Sequence, residues 1–268
     1  MAGSAFLLSV YLISQNHNPP YNSGFHPSLE NVTINPMKQQ TKIGKLYIVA
    51  TPIGHPKDIT LRALDVLKKV DAVICEEYRQ GSRTLHKLGV DDKELLTLNE
   101  HNEEHEAHTI MQRLAKGETM ALISDAGTPV FADPGQHLLE LLYQMKIPVS
   151  PIPGPASLMA ALSLCDFPID RFIFAGFPPR KTQHREGFLR KYTSETVPII
   201  LMDTPYRLTK LLTEVQSEFG KNQQILLACD LTLKKEGIYR GTVGDILPKV
   251  SGQKREFILI LNFNKRKR

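Results

Sequence analysis

The stretch S-D-A-G-T-P-V-F-A-D-P-G at residues 124–135 sets two carboxylates, Asp125 and Asp133, among glycines and prolines directly after the apolar run M-A-L-I. Carboxylates held on a shaped backbone favour a bound cation or accept a proton from an attacking group. Two loops of similar make-up also follow apolar runs: A-T-P-I-G at 50–54, with Pro52 and Gly54, and I-P-G-P-A-S at 152–157, with Pro153, Gly154, Pro155 and Ala156. Gly127, Gly135 and Gly154 permit positive φ or close approach, and the prolines stiffen each loop. Any one of these loops reads as a tight turn with an Asx cap. Three together point to a shared pocket. No GxGxxG follows the first apolar run and no GxxxxGK[ST] occurs, so a pyrophosphate cradle is not on offer. Backbone groups, small side chains and carboxylates suit a cationic, nucleoside-like ligand.

Two other constellations could do chemistry. His101 and His105 in H-N-E-E-H match the HxxEH spacing, in which two histidines bind zinc and the glutamate, here Glu104, acts as base. Asn102 reads as a helix N-cap, which leaves His101 outside the helix, so no metal site is expected. The segment P-P-R-K-T-Q-H-R-E-G-F-L-R-K at 178–191 carries Arg180, Lys181, Arg185, Arg190 and Lys191 beside His184 and Phe188. That mixture suits phosphate contact and base stacking, or equally a solvated amphipathic helix. Arg207 and Arg240 could add phosphate contacts or cap carbonyls.

The elements that must position these residues alternate between strand and helix. Strands are predicted at 45–50, 72–75, 95–98, 119–124 and 147–153. Helices are predicted from an Asp58 N-cap, near 80–88, up to Gly117, and over 136–145. This order implies a mainly parallel sheet covered on both faces. Beyond P-I-P-G-P come a helix at 156–164, a strand at 171–177, a polar helix at 182–193, a strand at 197–203 and a helix from Pro205 to Gly220. Strands at 224–231, 237–243 and 256–263 close the chain, interrupted by G-D-I-L-P-K-V. The expected fold is therefore α/β, with two α/β domains at 42–152 and 153–264 and a ligand cleft between them.

Composition bounds the rest. The 268 residues are 41% apolar and 23% charged, an ordinary globular mixture. The net charge of +5 includes +4 from the terminal K-R-K-R at 265–268, and Glu30 is the lone charged residue before Lys38. Residues 38–264 thus carry +2, too little to mark a nucleic-acid binder by charge alone. Cys75, Cys165 and Cys229 are odd in number and far apart, which argues for a reducing compartment. Residues 1–41 read as a disordered leader: the apolar run A-F-L-L-S-V-Y-L-I is about half the length of a membrane span, and no basic residue precedes it. The terminal K-R-K-R reads as a solvated tail.

The ordered motifs L-Y-I-V-A-T-P-I-G, D-I-T-L-R-A-L, S-D-A-G-T-P, D-P-G, P-I-P-G-P, G-F-P-P-R-K, T-P-Y-R-L and Y-R-G-T, spread over residues 45–262, resemble the tetrapyrrole-methylase superfamily of S-adenosylmethionine-dependent methyltransferases. Within it the likeness is to the branch acting on small-subunit ribosomal RNA. The resemblance implies a cytoplasmic homodimer with S-adenosylmethionine folded into the interdomain cleft, methylating a cytidine ribose 2′-hydroxyl. It implies that Pro52, Gly54, Asp125, Ala126, Gly127, Thr128, Pro129 and Asp133 line one side of the cofactor. Pro153, Gly154, Pro155, Ala156, Ala161 and Leu162 would close the other. Asp125 and Glu77 are the candidate catalytic carboxylates, and Arg180, Lys181, Arg185 and Arg207 the candidate RNA contacts. The chain departs from the branch's pattern at His55, Glu77, Tyr78, Asp203, Thr204, Tyr206, Cys229 and Lys235. Another acceptor, such as a tetrapyrrole, or a cofactor-binding protein without activity, therefore remains an alternative.

Overall fold

In the computed structural model, which describes residues 43–263, Lys45–Val49 (β1), Ala72–Cys75 (β2), Glu94–Thr97 (β3), Thr119–Ile123 (β4) and Val149–Ile152 (β5) form one sheet. The sheet is parallel throughout, in the order β3-β2-β4-β1-β5. Central β2 and β4 are nearly continuous apolar runs because both of their faces are covered. Leu61–Lys69 (α1) and Tyr78–Lys87 (α2) pack on one face with Val49, Val73 and Ile123. Glu103–Ala115 (α3) and Gln136–Gln144 (α4) pack on the other with Leu46, Ile74 and Met120. Adjacent β1 and β4 thus lead into helices on opposite faces. Such a divergence opens a crevice at the carboxyl ends of the two strands.

The rest of the chain builds a second layer. Ser157–Leu162 (α5) is followed by Ile173–Gly176 (β6), Thr182–Arg190 (α6), Ile199–Asp203 (β7) and Leu208–Phe219 (α7). Gln224–Cys229 (β8), Gly237–Thr242 (β9), Val243–Val250 (α8) and Phe257–Asn262 (β10) complete it. The sheet order is β6-β7-β10-β8-β9, parallel only between β6 and β7. Helices α6, α7 and α8 cover one face, and α5 lies over the other with Ile200, Leu226 and Ile258. The chain is therefore α/β, built on two sheets.

Local chemistry accounts for the departures from the sequence reading. The cap of α1 is Thr60, whose Oγ1 accepts from Ala63 N at 3.1 Å, while Asp58 sits in a preceding 3-10 turn. Pro205–Arg207 likewise forms a 3-10 turn rather than the first turn of α7, which ends as expected at Gly220 with φ +84°. G-D-I-L-P-K-V is helical despite Pro248. In an eight-residue helix the proline removes one hydrogen bond, against which stand the Thr242 cap on Asp245 N and the buried Val243, Ile246 and Val250. The polar helix α6 stops at Arg190 rather than 193. The expected leader and basic tail lie outside the described residues.

The two halves touch where the A-T-P-I-G loop meets the segment after β8. His55 N donates to Thr232 Oγ1 at 2.9 Å, and a Cβ added to Gly54 would stand 2.6 Å from that oxygen and 2.7 Å from Leu231 O. Because one obstacle is a backbone carbonyl, Gly54→Ala is expected to destabilise the protein by about 1–3 kcal/mol, the usual cost of overpacking. Urea titration of both proteins reads this as a lower midpoint at unchanged slope.

Candidate functional site

Strands β1 and β4 end side by side, and their loops are locked together just beyond, two residues past β1 and four past β4. Thr51 N donates to Gly127 O at 2.9 Å, Gly127 N returns the bond to Thr51 O at 3.1 Å, and Thr51 Oγ1 donates to Ser124 O at 2.9 Å. Gly127 adopts φ +88°, which makes this hairpin-like exchange accessible to glycine at little cost. At the far end of the loop Gly135 has φ +129°, and its N–H donates to Glu103 Oε1 at 2.9 Å. Glu103 also accepts from His137 N at 3.0 Å, so a carboxylate from α3 caps the start of α4. Between these anchors Val130 takes φ +70°, strained for a β-branched residue. Its side chain packs against the core beneath, which offsets that cost.

The I-P-G-P-A-S loop meets the same site from the side. Thr128 Oγ1 donates to Pro155 O at 3.4 Å. Gly154 does not use positive φ. It is needed for close approach, since an added Cβ would lie 3.0 Å from Ala50 Cβ. Pro52, Gly54, Asp125, Gly127, Thr128, Pro153, Gly154 and Pro155 are thus gathered around the ends of β1, β4 and β5, with Ala126, Pro129, Asp133 and Ala156 on the same loops. Ala161 and Leu162 differ: at 0% and 3% exposure their side chains belong to the core of the second layer, where α5 packs on its sheet. They support the loop from below.

Acidic groups crowd this edge. Burial, then the charges of Glu77 and Asp133, holds the Asp125 carboxyl above its ordinary range, although the residue as a whole is exposed. Glu76 is raised too, by burial first and then by Asp133, Asp125 and Glu100. Sequence reasoning singled out Glu77 and missed Glu76. Glu76 is the half-buried member, and Glu77 is exposed at the start of α2, where it makes no side-chain cap. The usable signal was position: Glu76 directly follows the fully buried β2. A concentration of negative charge that the fold itself disfavours is a seat for a cation.

A cavity of about 190 Å³ lies between the halves, lined by Ile53 and Ala126 from the first and by Ser157, Met202, Asp230 and Glu256 among others from the second. It is smaller than the roughly 300–1,000 Å³ of sites that engulf a small molecule, so a nucleoside-sized ligand would extend out of it along the 124–135 loop. A larger cavity, about 1330 Å³, lies at the opposite edge of the second sheet, against Phe219, Gln224 and Phe263. It is remote from the convergent loops and the acidic edge.

The basic segment is reassigned in part. Arg185 is fully buried, with Nη2 donating to Asp203 Oδ2 at 2.8 Å and Nε to Glu214 Oε2 at 2.8 Å. Its guanidinium is consumed in joining α6 to β7 and α7, so it cannot reach a phosphate, contrary to the sequence expectation. Phe188 packs on the core and edge-on to Tyr192, so it is no stacking platform. Arg207 is about one-quarter exposed and pairs with Asp203 Oδ1 at 3.3 Å. Arg240 donates to Leu164 O at 2.9 Å. Arg180 and Lys181 are exposed, and their side chains are unpaired among the described residues. The H-N-E-E-H match does not form the helical pair that zinc chemistry needs. His101 precedes α3, Glu103 caps α4, and His105 Nδ1 lies 3.1 Å from Glu106 Oε1.

Two α/β units with glycine-proline loops converging at a switch point form a ligand-binding crevice of the α/β class. Residues 45–247 match the tetrapyrrole (corrin/porphyrin) methylases, and the chain belongs to that family. It is 38% identical over 226 residues to ribosomal RNA small subunit methyltransferase I of Escherichia coli O157:H7, covering 83% of this chain and 79% of that one. It is 41% identical over 195 residues to the protein of the same name from Pseudomonas aeruginosa, covering 73% and 69%. In fold it is similar to uroporphyrin-III C-methyltransferase from Thermus thermophilus solved with S-adenyl homocysteine, with a TM-score of 0.58 at 17% identity, covering 82% of this chain and 97% of that one.

The burial of Arg185 has a measurable consequence. Removing one partner of a buried ion pair typically costs about 3–5 kcal/mol, against at most about 1 kcal/mol for exposed pairs. Arg185→Met is expected to lower the denaturation midpoint severely, whereas Arg180→Met is expected to leave the unfolding free energy within about 0.5 kcal/mol of the parent in the same titration.

Proposed function

We propose that this chain transfers the methyl group of S-adenosylmethionine to the 2′-hydroxyl of a cytidine ribose in small-subunit ribosomal RNA. The observation that carries this reading is the identity of 38–41% to ribosomal RNA small subunit methyltransferases I, over most of both chains. The site chemistry agrees. S-adenosylmethionine supplies an electrophilic methyl on a sulfonium cation, and an acidic, small-residue crevice free of phosphate-binding loops suits that cation. Pro52, Gly54, Asp125 to Pro129, Asp133 and Pro153 to Ala156 would hold it. Displacement at the methyl requires nucleophile, carbon and sulfur in line, so the loops' rigidity is their contribution to rate. The Thr51–Gly127 exchange and the Glu103 cap fix the long loop at both ends before any ligand arrives.

Charge explains turnover as well as binding. Asp125, Glu76, Glu77 and Asp133 attract a cation, and transfer leaves a neutral thioether that the same carboxylates no longer hold. Arg180 and Lys181 are exposed cations free to meet RNA phosphate, and Arg207, one-quarter exposed, could add a contact. All three cysteines are free, in keeping with a cytoplasmic setting, and the family resemblance supports a homodimer.

Labelled methyl from S-adenosylmethionine should appear, near one per particle, in small subunits from a strain lacking the modification, at a ribose 2′-oxygen. Binding of the donor without transfer to these particles would overturn the reading in favour of a non-catalytic protein or another acceptor. A second expectation concerns Asp125. Its raised pKa means that the fold loses stability as pH rises through that carboxyl's titration. Asp125→Asn should therefore raise the melting temperature at neutral pH while weakening S-adenosylmethionine about tenfold. In calorimetry of the parent protein, affinity for the sulfonium donor should fall as pH drops into the raised carboxyl range. Affinity for the uncharged demethylated product should fall less.

A further inference from the structure

The acidic edge of the first sheet accounts for binding a cation, but a hydroxyl that attacks a methyl must also lose a proton. The second layer presents a carboxylate at the right place. Residues 255 and 256 immediately precede β10, whose first residue, Phe257, pairs with Asp203 at the end of β7 and with Cys229 at the end of β8. Because β10 runs antiparallel to both neighbours, its entrance lies at the same sheet edge as their exits. That edge forms the wall of the interdomain cavity opposite Ile53 and Ala126.

The polar side chains on that wall divide sharply. Asp230 is spent on structure: its Oδ2 accepts from Arg255 Nε at 2.6 Å, and its Oδ1 accepts from Glu256 N at 3.2 Å and lies 3.5 Å from Lys235 Nζ. Arg255 does not line the cavity and also bonds Tyr239 Oη at 2.8 Å and the Lys235 carbonyl. The segment is held in an unusual shape to achieve this, with φ +48° at Asp230 and +64° at Thr232, and Thr232 N donates to Glu236 Oε2 at 2.8 Å. Strain of this kind persists only where the surroundings over-determine it, and it clusters at functional sites. Glu256 is the exception. It lines the cavity, its backbone is clamped on both sides by Asp230, and its carboxylate makes no hydrogen bond or ion pair among the described residues.

We propose that Glu256 is the proton acceptor for the methyl-accepting hydroxyl. The assignment rests on the methyltransferase reading above. In the step, the hydroxyl oxygen forms a bond to the donor methyl as the carbon–sulfur bond breaks, its electron pair returns to sulfur, and the hydroxyl proton passes to the Glu256 carboxylate. Two sets of carboxylates then have two roles. Those of the first sheet's edge hold positive charge, and the one on the second sheet's edge takes a proton.

The electrostatics of the position support the role. Partial burial, then the Asp230 charge, raises the Glu256 carboxyl above its ordinary range, with Lys235 opposing, although the residue as a whole is exposed. A raised pKa makes a carboxylate a stronger base.

The test compares the parent with Glu256→Gln and Glu256→Asp in single-turnover methyl transfer to unmodified small subunits over a range of pH, with donor affinity measured by calorimetry. A positioned base contributes about 10²–10⁴-fold. The glutamine variant is therefore expected to lose at least a hundredfold in rate with donor affinity unchanged. It should also lose the acid limb on which the parent's rate falls as Glu256 is protonated, and the aspartate variant should recover part of the rate. Full rate and an unaltered pH profile in the glutamine variant, alongside an active parent, would overturn the assignment alone. A parent that binds donor but methylates no small subunit would overturn the function reading and this assignment with it.

Discussion

The paired backbone hydrogen bonds between Thr51 and Gly127 are the constraint from which the rest of the site follows. Parallel strands end with their last carbonyl and amide groups unpaired, and chains leaving to opposite faces would ordinarily splay. Here the two exits exchange both bonds before diverging, with Gly127 in a left-handed conformation and Thr51 also bonded to Ser124 through its hydroxyl. The floor of the crevice is thereby fixed by main chain rather than by side-chain packing. Small residues suffice around it, and Gly154 can run against Ala50. A rigid backbone floor suits a reaction in which catalysis is chiefly alignment.

Charge is distributed by the same economy. In the second layer, Arg185 and Arg255 are buried, and each carries its own carboxylates: Asp203 and Glu214 for one, Asp230 for the other. These pairs join helices to strands and leave little charge to spare. At the edge of the first sheet, Glu76, Glu77, Asp125 and Asp133 crowd together, and Asp125 and Glu76 show the penalty in raised pKa values. One half neutralises its buried charge thoroughly, while one edge of the other tolerates repulsion that a bound cation would relieve. Glu256, which lines the cavity beside Asp230 but has no ion-pair or hydrogen-bond partner for its carboxylate among the described residues, stands apart from both groups.

Much of this was legible in the sequence, and for identifiable reasons. Apolar runs such as A-V-I-C and T-M-A-L-I could only be buried parallel strands once helical periods separated them, and glycine at 127 and 135 announced backbone that other residues resist. The missed features are those decided by tertiary partners. Nothing in R-E-G-F-L-R distinguishes an arginine destined for phosphate from one destined for Asp203, because both need the same side chain. Thr60 and Asp58 are both competent caps, and the choice depends on where the 3-10 turn ends. Gly54 carries a second demand invisible in the sequence, room for Leu231 and Thr232 more than 170 residues away. Ala161 and Leu162 fell within the family motif, yet the short α5 turns them into the core. Glu256 gave no signal because R-E before a strand is an ordinary edge, and its significance lies in Asp230 claiming Arg255.

The most direct test of the central claim is a crystal structure with the demethylated product of S-adenosylmethionine bound. The account places it across the ends of β1, β4 and β5, touching the backbone of the 124–135 and 152–157 loops, with its sulfur facing the cavity that Glu256 lines. Density for the ligand elsewhere, such as the large cavity beside Phe219, with the loop crevice closed by side chains, would contradict it.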